Sequence, residues 1–214
     1  MTNNSKVAVI GLGNIGQAVA GNFAKSNTSF IAADRNVEKA KELAVKWNAK
    51  SSDIATAVKD ADIVILAIPF ETIGEFLKNY STDLEGKIIV DPSNPIAPDE
   101  KGGFKKIIGE NESAGEINAS YLPKNAKLVK AFGTLGAASL AGSSYQTPEK
   151  AVLFYANNDE TIDTEIEKLI QDNGFDALKI GGLDQAIRIE VFGDLHEFGA
   201  LGKTVTIQEA KQKI

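Results

Sequence analysis

The sequence predicts an α/β fold: a doubly wound parallel sheet with a small α/β C-terminal unit packed on it. Two observations carry that prediction. Short apolar runs alternate with segments whose apolar residues recur at helical spacing, the pattern of parallel strands joined by right-handed crossover helices. The first of these units also carries Gly11-Leu12-Gly13-Asn14-Ile15-Gly16 between its apolar run and its helical segment.

In chain order, Val7-Ala8-Val9-Ile10 reads as a buried strand, and Ile15, Val19 and Phe23 fall on one face of a helix. Phe30-Ile31-Ala32-Ala33 is a second strand that ends on an acid, Asp34. Strand, glycine turn, helix, strand and acid in this order form the arrangement that binds a dinucleotide, so the fold is of the Rossmann type. Gly11 permits the tight turn, Gly13 lets the backbone approach a pyrophosphate, and Gly16 lets helix and strand pack closely. The phosphates would rest on free N–H groups at the positive end of the helix dipole.

A second helix carries Val37, Ala40, Ala44 and Trp47 on one stripe. Asp62 introduces Ile63-Val64-Ile65-Leu66-Ala67-Ile68, the most apolar strand, closed by Pro69. A helix around Glu71 to Leu77 turns Ile73, Phe76 and Leu77 inward. Lys87-Ile88-Ile89-Val90 then leads to Asp91-Pro92-Ser93-Asn94-Pro95. From Ile96 to Gly115, proline, glycine and charge predict a long surface loop over the carboxyl edge of the sheet. Ser113 and Glu116 have capping-box spacing, so a short helix should run from there to Leu122, before Pro123.

Lys127-Leu128-Val129-Lys130-Ala131-Phe132 resumes strand character. From Ala151 a second unit begins, with a strand to Tyr155, a helix bearing Ile162, Ile166, Leu169 and Ile170, and a strand from Ala177 to Ile180. A last helix is expected from Asp184 to Phe198. The division expected is a dinucleotide-binding domain over 1–145 and a small domain over 146–214 that closes the acceptor site. No linker or repeat separates the two, so they should pack together.

Composition narrows the function. With 214 residues and 43% hydrophobic content, the chain can bury a substantial core. It has no cysteine, which excludes disulfides, thiolate metal sites and a cysteine nucleophile. A net charge of −6 without a long basic run argues against nucleic acid as a partner. The longest apolar run, Ile63 to Phe70, is too short to span a bilayer, and the polar N-terminus shows no signal peptide. A cytoplasmic protein is the expectation.

Beyond the glycine turn, the chain carries Ala67-Ile68-Pro69, Asp91-Pro92-Ser93-Asn94-Pro95, Lys130-Ala131-Phe132-Gly133-Thr134 and Gly181-Gly182-Leu183. Together these resemble the reductases that move hydride between NADP and the deazaflavin coenzyme F420. The cytosolic domain of six-transmembrane metalloreductases, whose partner is a flavin, is similar. The resemblance covers nearly the whole chain, and its Lys-Ala-Phe-x-Thr segment and small C-terminal unit are its more specific parts.

It implies that Gly11, Leu12, Gly13, Asn14, Ile15 and Gly16 hold the pyrophosphate, and that Asp34, Arg35 and Lys39 surround the adenosine ribose. Ala67, Ile68 and Pro69 would line the ribose channel. Asn94 and Ala131, with Phe132 and Thr134 beside them, would flank the nicotinamide, and Gly182 to Gln185 would face the second redox molecule. Family members using NADP often carry serine or threonine where this chain has Asp34, so the cofactor, NAD or NADP, is expected to lean to NAD. The family also usually places a small hydroxyl residue where Asp184 follows Leu183.

No catalytic acid or base and no metal ligand is expected. His196, the one histidine, more often serves a helix terminus than chemistry in such a position. Lys130 at a strand end reads as solvated, and Asp91 either orients a ribose or shapes its turn. Ser139, Ser143 and Ser144 lack a glycine-serine-glycine elbow. The function expected is an NAD(P)-dependent oxidoreductase passing hydride to a flavin- or deazaflavin-like small-molecule acceptor. The alternatives are a non-catalytic NAD(P)H sensor and a small carbonyl or imine reductase. The crowding of Phe192, Leu195, Phe198 and Leu201 suggests a homodimer contact.

Overall fold

Four-residue apolar runs make the centre of the molecule. The computed structural model describes residues 5–100 and 102–214. In it β1 (Val7–Ile10), β4 (Ile63–Leu66) and β5 (Ile88–Asp91) are buried at every position. That is expected of parallel strands covered by helices on both faces. From β1 the chain winds one way through α1 (Asn14–Lys25), β2 (Phe30–Ala33) and α2 (Val37–Trp47) to the short β3 (Lys50–Ser51). After α3 (Ile54–Asp60) it winds the other way through β4, α4 (Phe70–Asn79), β5 and β8 (Lys127–Lys130). The direction of winding therefore reverses between β1 and β4. Open α/β sheets bind ligands outside the strand ends at such a reversal.

Strands β9 (Val152–Asn157) and β10 (Asp176–Lys179) extend this same sheet, in the order β10-β9-β8-β5-β4-β1-β2-β3. The expected boundary at 145/146 falls in the loop before β9, and no second sheet begins there. β9 lies antiparallel to β8, so the sheet is mostly rather than wholly parallel. The physical reason is the short connection. α6 (Ala137–Gly142) has six residues and does not carry the chain back to the amino edge, so β9 starts from the carboxyl side. α7 (Asp163–Asp172) then crosses over to β10, which is parallel to β9.

One core serves both parts of the chain: Val9, Val19 and Phe23 cluster with Leu153, Tyr155, Ile166, Ile170 and Phe175. Within it a buried asparagine pair ties three helices together. Asn22 Nδ2 donates to the Leu140 carbonyl at 2.9 Å and to Asn173 Oδ1 at 3.1 Å, while Asn173 Nδ2 donates to the Val19 carbonyl at 2.9 Å.

Two segments differ from expectation. The loop after β5 contains a hairpin, β6 (Ile96–Pro98) and β7 (Phe104–Lys106), closed where Asp99 Oδ1 accepts the Gly103 N–H. α5 (Ala114–Ala119) follows, capped by Ser113 as the sequence indicates. The expected helix from Asp184 to Phe198 is instead a 3₁₀ helix, Leu183–Ile189, followed by an irregular folded loop. Gly193 and Gly199 are the reason. Their backbones touch, which a continuous helix does not allow. The chain ends with α8 (Ile207–Lys211), and no helix among the described residues is long and apolar enough to cross a membrane.

Because the core is shared, urea should unfold the protein in one transition seen alike by fluorescence and circular dichroism. Asn173→Ala, which removes one of the two buried bonds of the Asn22 amide, should lower stability by about 1–3 kcal/mol without splitting that transition.

Candidate functional site

The glycine turn is built as its residue types require. Gly11 adopts φ +87°, and a Cβ there would lie 2.5 Å from the Ala67 carbonyl oxygen. A Cβ on Gly16 would lie 1.9 Å from the Gly11 carbonyl oxygen, so only glycine lets α1 start this close to β1. Gly13 has open space where its Cβ would be, and no side chain caps α1. α2, α3, α5 and α8 carry side-chain caps from Asn36, Asp53, Ser113 and Thr206, whereas α1, like α4, α6 and α7, does not, and of these α1 alone starts at the glycine turn. The N–H groups of the first turn of α1 therefore lack a side-chain acceptor, and an anion would suit them. Leu12 is wholly buried, so it offers only backbone, whereas Asn14 is exposed and Ile15 partly so.

Asp34, at the end of β2, is fixed from two sides. Its Oδ2 accepts the Leu12 N–H at 2.8 Å and its Oδ1 accepts the Asn36 N–H at 2.9 Å. Burial works to raise the carboxyl's pKa, but these two bonds, with Lys39 and Arg35 nearby, outweigh it and hold it below the usual carboxylate range. The site therefore presents a permanent negative charge one hydrogen bond from the glycine turn. Lys39 Nζ lies 3.9 Å away on a part-exposed stem, and Arg35 is exposed.

On the other side of the reversal, Ile68 and Pro69 reach the surface after β4. Asn94, after β5, is partly exposed and doubly anchored: Nδ2 donates to the Gly133 carbonyl at 3.0 Å and Oδ1 accepts the Val191 N–H at 2.7 Å. Ala131, Phe132 and Thr134 are all buried, so what they can offer a cofactor is backbone rather than side chain. Phe132 holds φ 62°, a strained conformation for a bulky residue at a strand end. Gly133 is needed there, since a Cβ would lie 2.6 Å from the Pro92 carbonyl oxygen.

Lys130 is not a solvated lysine. It is 2% exposed, and Nζ donates to Asp91 Oδ2 at 3.1 Å and to the Ser93 carbonyl, with Glu190 Oε1 at 3.7 Å. Asp91 also accepts from Asn118 Nδ2 and from the Ser93 N–H, so it shapes its turn and, being buried, does not reach a ribose. Glu190 accepts the N–H groups of Ala114 and Gly115, each at 2.9 Å. Burial raises its pKa, against the pull of Lys130 and those two N–H groups. One ammonium thus joins β5, β8 and, through Glu190, α5 and the C-terminal loop. Nothing in the local sequence around Lys130 signals this, because Glu190 is distant in the chain.

The C-terminal loop lies along the same strand ends. The Glu197 N–H donates to the Thr134 carbonyl at 3.0 Å, and the Glu197 carboxylate accepts from the Gly136 N–H at 2.7 Å and from Ser139 Oγ. His196 is buried. Its Nδ1 accepts the Phe198 N–H at 2.9 Å, so Nε2 carries the proton and donates to the Gly133 carbonyl at 2.8 Å. With both ring nitrogens engaged and burial pulling its pKa down to about 4, it is a neutral structural group. Leu195 and Leu201 pack inside the chain, leaving Phe192 and Phe198 exposed.

The Gly182–Gln185 block is not at these strand ends. Asp159 pairs with Lys127 at the start of β8, and Leu183 N–H donates to the neighbouring Asn158. The block therefore sits at the amino edge of the parallel strands. The antiparallel course of β9, invisible in the sequence, put it there.

Residues 6–95 match the family model of NADP oxidoreductases that are coenzyme F420-dependent. The F420-dependent NADP reductase of Methanocaldococcus jannaschii is 27% identical over 207 residues, covering 89% of this chain and 90% of that protein. The crystal structure of the hypothetical protein SMa0349 from Sinorhizobium meliloti superposes with a TM-score of 0.81 at 28% identity, covering 94% of this chain and 95% of that one. The reductive aminase of Aspergillus terreus, solved in complex with NADPH, shares the fold with a TM-score of 0.62 at 20% identity. It covers 85% of this chain and 56% of its own.

Lys130→Met leaves two carboxylates buried without their cation and should cost about 3–5 kcal/mol in urea unfolding. His196 binds its proton more weakly folded than unfolded, so its contribution is complete above pH 6.5 and is lost as pH falls toward about 4. His196→Gln should accordingly flatten the stability curve of the native protein in that window, by up to about 3 kcal/mol at its acid end.

Proposed function

Since the chain belongs to the coenzyme F420-dependent NADP oxidoreductases, we propose that it transfers hydride between a nicotinamide dinucleotide and a flavin- or deazaflavin-like acceptor. The observation that carries this reading is the uncapped start of α1 beside Gly13, at the reversal of the sheet, with Asp34 bonded to the same turn. The first-turn N–H groups of α1 would hold the pyrophosphate and Asp34 the ribose hydroxyls. Ile68, Pro69 and Asn94 would flank the nicotinamide half. When bound, the dihydronicotinamide supplies a hydride, and the acceptor takes its balancing proton from water.

What the protein contributes is placement. Asn94 is anchored from β8 and from the C-terminal loop, and Gly133 packs on Pro92. The strand ends therefore form a fixed floor, and alignment of two rings on it can be worth roughly 7–11 kcal/mol of barrier. His196 and Lys130 are buried and fully engaged, so neither is free to serve as a general acid or base. Gly133→Val should disable the floor outright, because the new side chain collides with backbone rather than with a movable side chain.

Within this reading the preference is for NADH, although the named relatives are NADP reductases. Asp34 is held ionised at a rigid strand end, where a 2′-phosphate would meet a like charge at a cost of order a few kcal/mol. Arg35 and Lys39 offset this only by ordering flexible stems. Calorimetry should show NADH binding about tenfold tighter than NADPH, and Asp34→Ser should reverse the order. NADPH binding tenfold tighter in the unmodified protein would end the NADH reading. Loss of nicotinamide absorbance on offering flavins, deazaflavin and quinones in turn tests the transfer itself, and no oxidation with any of them would refute it.

A further inference from the structure

A cleft of about 670 Å³ crosses the amino ends of the parallel strands, at the end of the sheet opposite the glycine turn. Its volume falls within the roughly 300–1,000 Å³ of small-ligand sites. The starts of β1, β2 and β4 stand side by side there, with Val7 in register with Phe30 and with Ile63. Lys50 of β3 is in register with Ile31 of β2. Val7, Phe30, Ile31 and Leu169 give the cleft an apolar base, and α7 lines one side. Glu165, Lys168, Leu169 and Asp172 face the cleft at helical spacing, while Ile166 and Ile170 between them enter the core. None of these residues belongs to the candidate site described above.

The charges along the cleft are unevenly spent. On α7, Lys168 and Asp172 pair with each other at 2.5 Å, and Glu165 is left with one bond, from Ser5 Oγ just before β1. Lys6, also before β1, and Lys50 of β3 form no ion pair among the described residues. At the β1–β4 end Lys6 thus stands against two carboxylates, Glu165 and Asp60. Lys87, the cation near Asp60, is spent on the carbonyls of Val58, Lys59 and Ala61. At the β3 end Lys50 stands with no acid paired to it. The cleft is therefore negative at one end and positive at the other. Along it lie Asn27, Ser29 and Asn48, whose side chains make no hydrogen bond among the described residues.

We propose that this cleft binds a short peptide by its two free termini, the α-ammonium at Glu165 and the α-carboxylate at Lys50, with the backbone extended across the starts of β1 and β2. Length favours that class over a single amino acid. β1 and β3 flank β2, so they lie two strand spacings apart, about 10 Å. An extended chain covers that distance in about three residues. The uncommitted side chains of Asn27, Asn48 and Ser29 suit peptide N–H and carbonyl groups, and the apolar base suits the side chains on one face of an extended strand. A polyamine would meet Lys6 and Lys50, and a dianion would meet Glu165 and Asp60, with like-charge repulsion in either case.

The test titrates the full chain with the tripeptide Ala-Leu-Ala, with its N-acetylated form and with its C-amidated form. Trp47, the single tryptophan, packs on Phe30 with ring centroids 6.1 Å apart, so its emission reports an occupied cleft, and calorimetry gives the affinity. The free peptide should bind saturably and roughly three- to fivefold tighter than either blocked form at low salt, the range of one exposed charge contact. The gap should narrow near about 0.5 M salt, where exposed charges are screened. Glu165→Gln should abolish the preference for a free amino end and keep that for a free carboxyl end, and Lys50→Gln should do the reverse, each with the native melting transition retained. Absence of saturable binding, blocked forms that bind as tightly as the free one, or variants that lose both preferences together would overturn the proposal. So would a particle of twice the 22.8 kDa chain mass that Glu165→Gln dissociates, which would give the cleft to a second copy of the chain. NADH binding enters none of these outcomes, so the peptide site stands or falls separately from the dinucleotide reading.

Discussion

The ammonium of Lys130 is buried with two carboxylates, and most of what lies above the sheet hangs from it. Asp91 and Lys130 close the ends of β5 and β8, and Glu190 brings the C-terminal loop and the first turn of α5 to the same point. Two acids and one cation in a buried site are stable only because every oxygen is also hydrogen-bonded; a looser arrangement would cost more in desolvation than it returned. The consequence is positional. Ser93 is held through both its N–H and its carbonyl, and Asn94 follows from it, so the floor at the strand ends is set by electrostatics buried well beneath it.

The opposite half of the site depends on sterics rather than charge. Gly16 and Gly11 touch, β1 and α1 meet without a spacer, and the start of α1 stays uncapped. Asp34 then links the glycine turn to the end of β2 through the Leu12 N–H. A carboxylate that supports the turn and, in the proposed reading, would also face the ribose is constrained twice. Replacing it therefore changes the loop's internal bonding as well as the charge a nucleotide meets.

Between these halves the C-terminal segment acts as a structural lid on the strand ends. His196 and Glu197 spend their polar atoms on Gly133, Gly136 and Ser139. A histidine and a glutamate side by side invite an acid–base reading, yet the imidazole is neutral and enclosed, and the carboxylate serves the start of α6. On the proposed function, chemistry on this scaffold would be left to alignment, in keeping with small residues and backbone at the strand ends.

Local pattern determined much of this protein. The glycine turn, the first two helices, strands β1, β2, β4 and β5 and the Ser113 cap of α5 were all legible, because each depends on residues close together in the chain. The need for glycine at position 16 was legible for the same reason, since a Cβ there would meet the Gly11 carbonyl within one turn. The tertiary structure alone decided the rest. It reversed β9, which moved Gly182–Gln185 to the amino edge, and it replaced the expected last helix with a loop pinched at Gly193 and Gly199. It also enclosed Lys130 with Asp91 and Glu190. These outcomes turn on contacts between residues far apart in sequence. Strand direction, the pairing of a buried charge and the closing of a loop follow from which groups the fold brings together, and no local pattern of residue types encodes that.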